Sequence, residues 1–411
     1  MRLIVGFVAH VAVSTALFGG CVVEPSVTRS APIAVGMLAD AGDQAGSDAV
    51  QGAELAIDVI NDPHSGLRLP LAPEAGLPLL DAGTLRLVVG DSEGSPDAVE
   101  GVIDGLLAER VAGMVISETE DVVAVAAPYA SRRGVPMVDA ATSAGYLLDL
   151  GLESYFRITP ADQTLGAAVF GLARAEPVPG DGEAVVLLAN PEAGAGLAPL
   201  LPELSRSAGL TLLDTVQVGD PQGVGTVRLV GLRPDVVVTV ADDEDGAQRL
   251  SQAVAELEAS PAVIAVGRGW QADRDAVEGM VRPVVWSEEL RERHPLAGAV
   301  AELYEERYGQ PMSEQAATAF TAVITLAVAI NSATTGDPSA VQVGLRQLSL
   351  PATQLIMPWP GIEFASNGQN RLAAAVVEQR DENGWSVVHP PELATAEVQW
   401  PTPPPIEEAP F

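Results

Sequence analysis

Short apolar runs alternate with helical patterns along most of this chain, and that alternation restricts its fold more than any other feature. Between these runs, apolar residues recur at the spacing of a helix, as at residues 50–61 and 121–132. Continuous apolar strands separated by helices are typical of parallel sheets covered on both faces. The units are too many for one sheet, so the sequence predicts an α/β protein with two doubly wound lobes. The predicted strands are residues 32–38, 85–90, 113–116, 136–138, 155–158, 184–189, 210–216, 235–240, 262–266 and 283–286.

The rhythm changes near residue 350, where short strands and turns replace the longer helices. Residues 391–411 are rich in proline and acid, which predicts an extended tail. The uncharged stretch 316–333 is long enough to cross a membrane. Threonines interrupt it, however, and we predict that it is a buried helix of the α/β core.

The first 21 residues have the features of a secretory leader. Arg2 precedes an uncharged apolar run that ends in Gly19, Gly20 and Cys21. The ending resembles a bacterial lipoprotein signal, although Leu17 lies four residues before Cys21 where that pattern usually places it three before. The alternative is an ordinary secretory signal with an unrelated cysteine. We predict a signal peptide over 1–20, a lipidated Cys21 that anchors the protein outside the cytoplasm, and a tether over 21–31.

Composition excludes several classes of function. The formal net charge of −33 repels nucleic acid and anionic membrane surfaces, so neither is an expected partner. Cys21 is the only cysteine, so no disulfide can form. Outside the leader the histidines are His64, His294 and His389, and their spacing does not suit a metal site. We therefore expect neither a metal nor a cofactor.

Two motifs suggest enzymatic chemistry and are weak. Residues 90–94 match the G-x-S-x-G pattern around Ser92, but Pro96 delays the next helix, and the base would have to be His294 or His389. Residues 194–196 follow a strand as Gly-Ala-Gly but lack the third glycine of a dinucleotide fingerprint. Loops between strand and helix explain both, and we predict that the protein is not an enzyme.

Charged residues follow two predicted strands of the second half. Asp242 and Asp243 come after 235–240, and Arg268 lies between two glycines after 262–266. Acids at a helix start have a default role as caps. Both positions are nonetheless carboxyl ends of parallel strands, where open α/β sheets bind their ligands.

Five segments, taken together and in order, are specific enough to suggest a family: residues 33–61, 85–117, 124–142, 154–166 and 361–371. In these segments the chain resembles the type I periplasmic binding proteins, in particular the branched-chain amino-acid and amide group that feeds ABC importers. The resemblance implies two flavodoxin-like lobes joined by three crossovers, with a solute held in the cleft between them. It implies lobe one over 32–158 and 287–349 and lobe two over 159–286 and 350–390.

The resemblance also assigns candidate ligand-binding residues. Glu120, with Thr119 and Ser117 beside it, stands where the family has a serine that holds the ligand carboxylate. Ala140 and Thr142 match a pair that receives the ammonium through a carbonyl and a hydroxyl. In lobe two the corresponding positions hold Ala193, Asp242 or Asp243, and Arg268.

The segments that form the fold agree with the family, whereas the residues at the ligand-binding positions differ from those of the family's amino-acid pockets. Glu120 would repel an α-carboxylate, so the pocket could hold a polar or cationic ligand, or a zwitterion turned end for end. We predict a monomeric, lipid-anchored solute-binding protein that delivers a small polar solute, an amino acid or amide, to permease subunits of an ABC importer by hinge closure. The alternative is a receptor module that uses the same closure for sensing.

Overall fold

Two sheets, one parallel and one mostly parallel, form the framework of the structure, a computed structural model. It describes residues 31–190, 196–218, 224–257, 260–270 and 276–401. The predicted signal peptide, Cys21, Ala193 and residues 402–411 of the predicted tail lie outside the described residues.

The first sheet has five parallel strands in the order β2-β1-β3-β4-β5, the flavodoxin-like order. Buried apolar residues cover both of its faces, as the prediction of a doubly wound lobe requires. The strands are β1 (Ile33–Ala39), β2 (Leu85–Asp91), β3 (Met114–Ser117), β4 (Met137–Asp139) and β5 (Tyr155–Arg157). The helices between and after them are α1 (Gln44–Asn61), α2 (Val99–Ala108), α3 (Glu120–Arg132) and α4 (Tyr146–Asp149).

The second sheet repeats that order in its parallel part, β7-β6-β8-β9-β10, and adds two antiparallel strands, β13 and β14, beside β10. Its strands are β6 (Glu183–Leu188), β7 (Thr211–Gln217), β8 (Val236–Val240), β9 (Ala262–Val266), β10 (Val281–Val284), β13 (Val376–Asp381) and β14 (Gly384–His389). Its helices are α5 (Asp162–Ala175), α6 (Leu201–Ser207), α7 (Val224–Leu232) and α8 (Glu244–Ala255).

The chain passes between the two sheets three times: after β5, after β10 and before β13. The middle excursion returns to the first sheet and adds α9 (Leu290–Arg293), α10 (Pro295–Tyr308), α11 (Glu314–Ala333), α12 (Pro338–Arg346) and the short antiparallel pair β11 (Ser349–Pro351) and β12 (Gly361–Glu363). We call the first sheet with α1–α4 and α9–α12 lobe one, and the second sheet with α5–α8 lobe two.

Helix α11 is the uncharged stretch that could cross a membrane by length and composition. In the structure it packs against α1, and most of its residues are buried within lobe one. A Cβ atom on Gly52 of α1 would lie 2.1 Å from the Ala316 carbonyl oxygen, so glycine permits this close approach. The hydroxyls of Thr321 and Thr325 donate to carbonyls one turn earlier on the same helix. The prediction of a buried core helix is confirmed.

Most predicted element bounds differ from the observed ones by one residue, and the larger differences are at α1 and β10. Helix α1 begins at Gln44 rather than at residue 50, because its first turns contain Gly46 and Ser47, whose weak helix propensity conceals them in the sequence. A Cβ atom on Gly46 would lie only 1.9 Å from a carbonyl oxygen of the preceding loop. Strand β10 ends at Val284 rather than at residue 286, because the next two backbone amides donate to the Glu314 carboxylate instead of a strand.

The first and third passages between the lobes are joined by a buried polar cluster. Arg157 is fully buried and donates to Gln369 Oε1 at 2.9 and 2.7 Å and to the Ala144 carbonyl at 2.6 Å. Its backbone amide donates to the Gly368 carbonyl, and its carbonyl accepts from the amide of Asn370, both at 2.8 Å. The buried groups are therefore paired, and the first and third passages are bonded to each other.

The described part of the predicted tail follows the surface of lobe two. The amide of Gln399 donates to Gln379 Oε1 at 2.7 Å, and the Gln379 side chain donates back to the Gln399 carbonyl at 3.0 Å. The indole of Trp400 donates to the Glu176 carbonyl at 2.8 Å. Up to Pro401, extended chain is thus tied to β13 and to the end of α5.

Candidate functional site

A cavity of about 1030 Å³ lies between the lobes, at the carboxyl ends of the parallel strands of both sheets. Lobe one contributes the loops after β3 and β4, and lobe two contributes the loops after β8 and β9. The starts of α5 and α11 and residues 282–285, in and after β10, also line the cavity. Open α/β sheets bind ligands at this end of their strands, so the fold itself identifies the cavity as a candidate site.

The structure brings together most of the residues that the sequence suggested. Ser117 is the last residue of β3 and is buried behind the cavity wall, not on it. Ala193 lies outside the described residues. The predicted residues that line the cavity are Thr119, Glu120, Ala140, Thr142, Asp242, Asp243 and Arg268.

Glu120 is the first residue of α3 and lines the lobe-one wall, half-buried. Thr119 occupies the cap position, but its hydroxyl donates to Asp121 and leaves the helix amides to other partners. Burial raises the pKa of the Glu120 carboxyl to about 7, and the nearby carboxylate of Asp162 contributes to the increase. Arg268 acts in the opposite direction, while Asp242 and Asp139 raise the pKa further.

The loop after β4 is organised around a buried carboxylate. Asp139 accepts hydrogen bonds from the amides of Ala141 (2.8 Å) and Thr142 (3.1 Å) and from the hydroxyls of Thr142 and Tyr155. The Thr142 carbonyl accepts from the Thr159 hydroxyl at 2.6 Å. Thr142 therefore stabilises the loop, because its hydroxyl donates to Asp139. Toward a ligand, that hydroxyl could act only as a hydrogen-bond acceptor.

In lobe two, glycines set the shape of the loop that carries Arg268. A Cβ atom on Gly267, which has φ of 100°, would lie 2.2 Å from the Ala241 carbonyl oxygen. One on Gly269 would lie 2.2 Å from the Asp243 carbonyl oxygen. The loop after β9 therefore packs directly on the loop after β8, and Arg268 extends toward lobe one, with Nη1 3.5 Å from the Glu118 carbonyl oxygen.

The two aspartates after β8 differ in role. Asp243 caps α8, since its side chain accepts from the Gly246 amide at 2.6 Å. Asp242 precedes the cap, is exposed and lines the cavity. The capping explanation holds for Asp243, and Asp242 is the better candidate for a ligand contact.

Three lining residues escaped the sequence analysis because nothing local marks them. Asp162 is the first residue of α5, beside the first passage between the lobes. Glu314 begins α11 and is half-buried as a residue, but its carboxyl group is enclosed, which raises the pKa of that carboxyl. The carboxylate accepts from the amide of Val285 at 2.9 Å. Arg282 donates to Glu378 at 3.1 and 3.2 Å and stacks 3.7 Å from the Trp385 ring, so its charge is balanced within lobe two.

Carboxylates outnumber arginines on the described part of the cavity wall. The arginines are Arg268 and Arg282. The carboxylates are Asp43, Glu120, Asp121, Asp149, Asp162, Asp242, Asp243, Glu244 and Glu314. Within the described ranges, no three acidic, histidine or cysteine side chains are grouped so that they could hold a metal ion.

The hydrolase alternative fails on the geometry of Ser92. The side chain is fully buried, and its hydroxyl donates to the buried carboxyl of Glu118. Helix α2 does not begin until Val99, so Ser92 is not at the tight strand-to-helix turn that a nucleophile elbow needs. His294 accepts from the Ala297 amide at the start of α10, and His389 ends β14 in the other lobe.

Comparison with known proteins agrees with the fold and with the position of the cavity. A sequence model described as "Periplasmic binding protein" matches residues 32–384. No curated protein shows a significant match in sequence.

Many solved structures are similar in fold. An ABC transporter substrate-binding protein from Desulfitobacterium hafniense, in complex with Leu, has 19% identity and a TM-score of 0.72 over 87% of this chain and 100% of its own. A branched-chain amino acid transporter substrate binding protein from Streptococcus pneumoniae, in complex with isoleucine, has 17% identity and a TM-score of 0.65 over 88% and 100%. A solute binding protein from R. palustris, in complex with benzoate, has 13% identity and a TM-score of 0.65 over 87% and 96%. Because the sequence identities are this low, the similarity shows that the fold is shared and nothing further.

Proposed function

The chain belongs to the periplasmic binding protein family, and on that premise we propose that it is the solute-binding protein of an ABC importer. One observation carries the proposal: a single cavity has walls from both lobes, at the ligand-binding ends of two sheets with the same strand order. The family works outside the cytoplasm, and its relatives of known structure are solute-binding proteins rather than enzymes.

We further propose that the protein is a monomer whose lobes close on the solute by hinge motion. Lobe one would comprise residues 32–158 and 287–349, and lobe two 159–286 and the part of 350–390 that follows β12, because β11 and β12 pack on the core of lobe one. Thr142 would meet the solute from lobe one, and Asp242 and Arg268 from lobe two. The bonded cluster around Arg157 supports this arrangement because it joins two of the three passages between the lobes at one place.

The solute is a small polar molecule, an amino acid or an amide. A thermal-shift screen of amino acids, amides, urea and polyamines tests this proposal, because a ligand at a hundred times its dissociation constant adds roughly 2.7 kcal/mol of stability. A stabilising hit from these classes is expected. A protein that none of them stabilises would contradict the proposal.

Arg268 tests the site within that function. Removing one partner of a buried arginine–carboxylate contact costs on the order of 2–5 kcal/mol, so Arg268→Ala should weaken a zwitterionic or anionic solute at least tenfold. The matched control is Arg228→Ala, which removes an exposed arginine of lobe two that pairs with Asp214. Equal affinity of such a hit for wild type and Arg268→Ala would contradict the assignment of Arg268 to the site.

The anchor is a separate proposal that rests on the leader. We expect diacylated Cys21 to hold the mature protein at the cell membrane, within reach of the permease subunits. Cys21→Ser should release the protein into the soluble fraction, because it removes both the acylation site and lipoprotein processing. If Cys21→Ser remains in the membrane fraction after a high-salt wash, the lipoprotein proposal is wrong.

A further inference from the structure

We propose that Trp270 is a solute-binding residue of lobe two, and that its indole N–H and the guanidinium of Arg268 together hold a carboxylate of the solute. The inference rests on the proposed solute-binding function and names the group of the solute that lobe two recognises. It favours an organic acid, such as an amino acid, over the amides that the proposed function also allows.

The indole N–H of Trp270 is a buried donor without an acceptor. Trp270 follows β9, lines the cavity and is only 3% exposed. Its Nε1 atom is enclosed and has no hydrogen-bond partner in the part of the chain that the structure describes. Such groups are rare in folded proteins, because a buried donor that lacks a partner loses its hydration without compensation. At the wall of a cavity, an oxygen of the solute can supply the acceptor.

A second tryptophan shows what is particular to this position. Trp359 lies in the core of lobe one, is 1% exposed, and its Nε1 atom also lacks a partner among the described residues. Trp359 does not line the cavity between the lobes. An unpaired indole N–H is therefore not enough to mark a site, and Trp270 combines it with the cavity wall and with a neighbouring cation.

The main chain at Trp270 is held in place. Gly267 and Gly269 pack on the loop after β8, and the Gly269 amide donates to the Ala241 carbonyl at 3.0 Å. The carbonyl of Trp270 accepts a hydrogen bond from Nη1 of Arg282. The indole can therefore turn about its side-chain bonds while the main chain stays in place. Such a turn toward the void brings the enclosed nitrogen into contact with a solute.

Arg268 adds a positive charge beside this donor. It is half-buried and lines the cavity two residues before Trp270. Its Nη1 atom lies 3.5 Å from the Glu118 carbonyl oxygen, which is long for a hydrogen bond. Arg268 lowers the pKa of Glu120, but it forms no ion pair with any carboxylate of the described residues. Since a guanidinium has five N–H donors, most of those of Arg268 are available to a solute.

A carboxylate fits this pair of donors better than the other polar groups of small solutes. Its two oxygens have about four acceptor sites, so it can accept from Arg268 and from Trp270 at the same time. An amide has one acceptor oxygen and turns its NH₂ donors toward other donors, and an ammonium group has no acceptor. The carboxylate can belong to an amino acid or to an acid without an amino group, and the experiment separates these two sources.

Calorimetric titration of the purified mature chain with Cys21→Ser gives the affinities. The probes are the standard L-amino acids and benzoate, with acetamide, urea and putrescine as solutes without a carboxylate. Each acid that binds is compared with its match that lacks the carboxylate, as L-leucine with isoamylamine. We expect at least one acid to bind at least tenfold more tightly than that match. A second match, without the amino group, shows which source is recognised: 4-methylpentanoate retains the affinity of L-leucine only if an acid without an amino group suffices.

Two tryptophan variants locate the effect. Trp270→Phe removes the indole N–H and keeps an aromatic ring at the cavity wall. It should weaken binding of the acid about tenfold, as expected for a lost hydrogen bond to a charged acceptor, and leave binding of the carboxylate-free match within about twofold. Trp359→Phe is the matched control, because it removes an unpaired indole N–H away from the cavity, and it should change neither affinity. Thermal unfolding without solute shows whether both variants are folded.

The indole N–H can also be observed in the protein that retains Trp270. The chain has five tryptophans, and the indole peak that Trp270→Phe or Trp270→Leu removes from a proton–nitrogen correlation spectrum is that of Trp270. A saturating concentration of the acid should move the proton of this peak downfield, because the N–H then donates to a carboxylate. The carboxylate-free match should leave the peak in place.

The other outcomes overturn the inference in different ways. Tightest binding by acetamide, urea or putrescine would overturn the carboxylate assignment and leave the solute-binding function standing. An equal loss of affinity for both members of a pair in Trp270→Phe, or a Trp270 peak that the bound acid does not move, would exclude the indole N–H from the site. If no probe binds at millimolar concentration, the inference is contradicted, and a thermal-shift screen without a hit would add the failure of the proposed function.

Discussion

The two lobes present equivalent positions of one strand order to the same cavity, and they use these positions differently. At the carboxyl end of the fourth strand in each order, lobe one has Asp139, the last residue of β4, which is fully buried and accepts four hydrogen bonds from its own lobe. Lobe two has Gly267, Arg268 and Gly269, a loop that packs on its neighbour and extends a cation across the cleft. The shared strand order determines where the cavity lies. The side chain at each position determines whether that position stabilises its own lobe or is available to a solute.

The largest expected effect comes from the cavity glycines. Gly267→Ala places a side chain against the Ala241 carbonyl oxygen, at a backbone conformation that L-residues rarely adopt, and should cost about 4 kcal/mol of unfolding free energy. Gly145→Ala in lobe one, where no atom lies within 4 Å of the new Cβ, should change stability by less than about 0.5 kcal/mol. Chemical denaturation measures both. Similar values for the two would remove the contrast between the lobes.

The aspartates provide the second contrast. Asp139→Ala leaves buried amide and hydroxyl donors without an acceptor and should cost about 3 kcal/mol. Asp243→Ala removes one helix cap at an exposed position and should cost about 1 kcal/mol. Urea unfolding of the two variants under identical conditions gives the comparison. A greater loss in Asp243→Ala would mean that the loop after β8, and not the one after β4, holds its lobe together.

The smallest effect is the pH dependence of stability at Glu120. Its pKa is about 7 in the folded protein, against an ordinary value of 4.5, so between these values the folded state binds more protons and stability falls as pH rises. After allowance for partial exposure, Glu120→Gln should be more stable than wild type by about 1 kcal/mol at pH 8 and equal to it at pH 4. A variant that is less stable than wild type at pH 8, without solute, would show that the Glu120 carboxylate supports the fold.

The framework could be predicted because its signals are local. Continuous apolar strands such as β8 and β9 appear in the sequence at their observed positions, and their alternation with helices indicates two parallel sheets. The start of α1 and the end of β10 could not be predicted. Gly46 is required by a contact with the preceding loop, and β10 ends because the amides of Val285 and Trp286 donate to Glu314, which is distant in sequence.

The site could be predicted only in part, because some of its residues have a local signal in the sequence and others are brought to the cavity only by long-range contacts. Arg268 stood out because glycines flank it, and those glycines do make the close contacts that place it. Asp162 carries no comparable local signal, since an acid at a helix start is common, and only the folded chain brings it beside Glu120. The hydroxyl of Thr142 looked available, but its donor role goes to Asp139, three residues earlier.

The central claim is that one solute contacts both lobes in this cavity, and hydrogen exchange tests it most directly. With the most stabilising solute from the thermal-shift screen, we predict that amide protection rises together in residues 119–123 and 140–146 of lobe one and in 241–246 and 266–270 of lobe two. Arg268→Ala, at the same solute concentration, should lose the gain in both lobes. Protection confined to one lobe, or to residues away from the cavity, would contradict the claim.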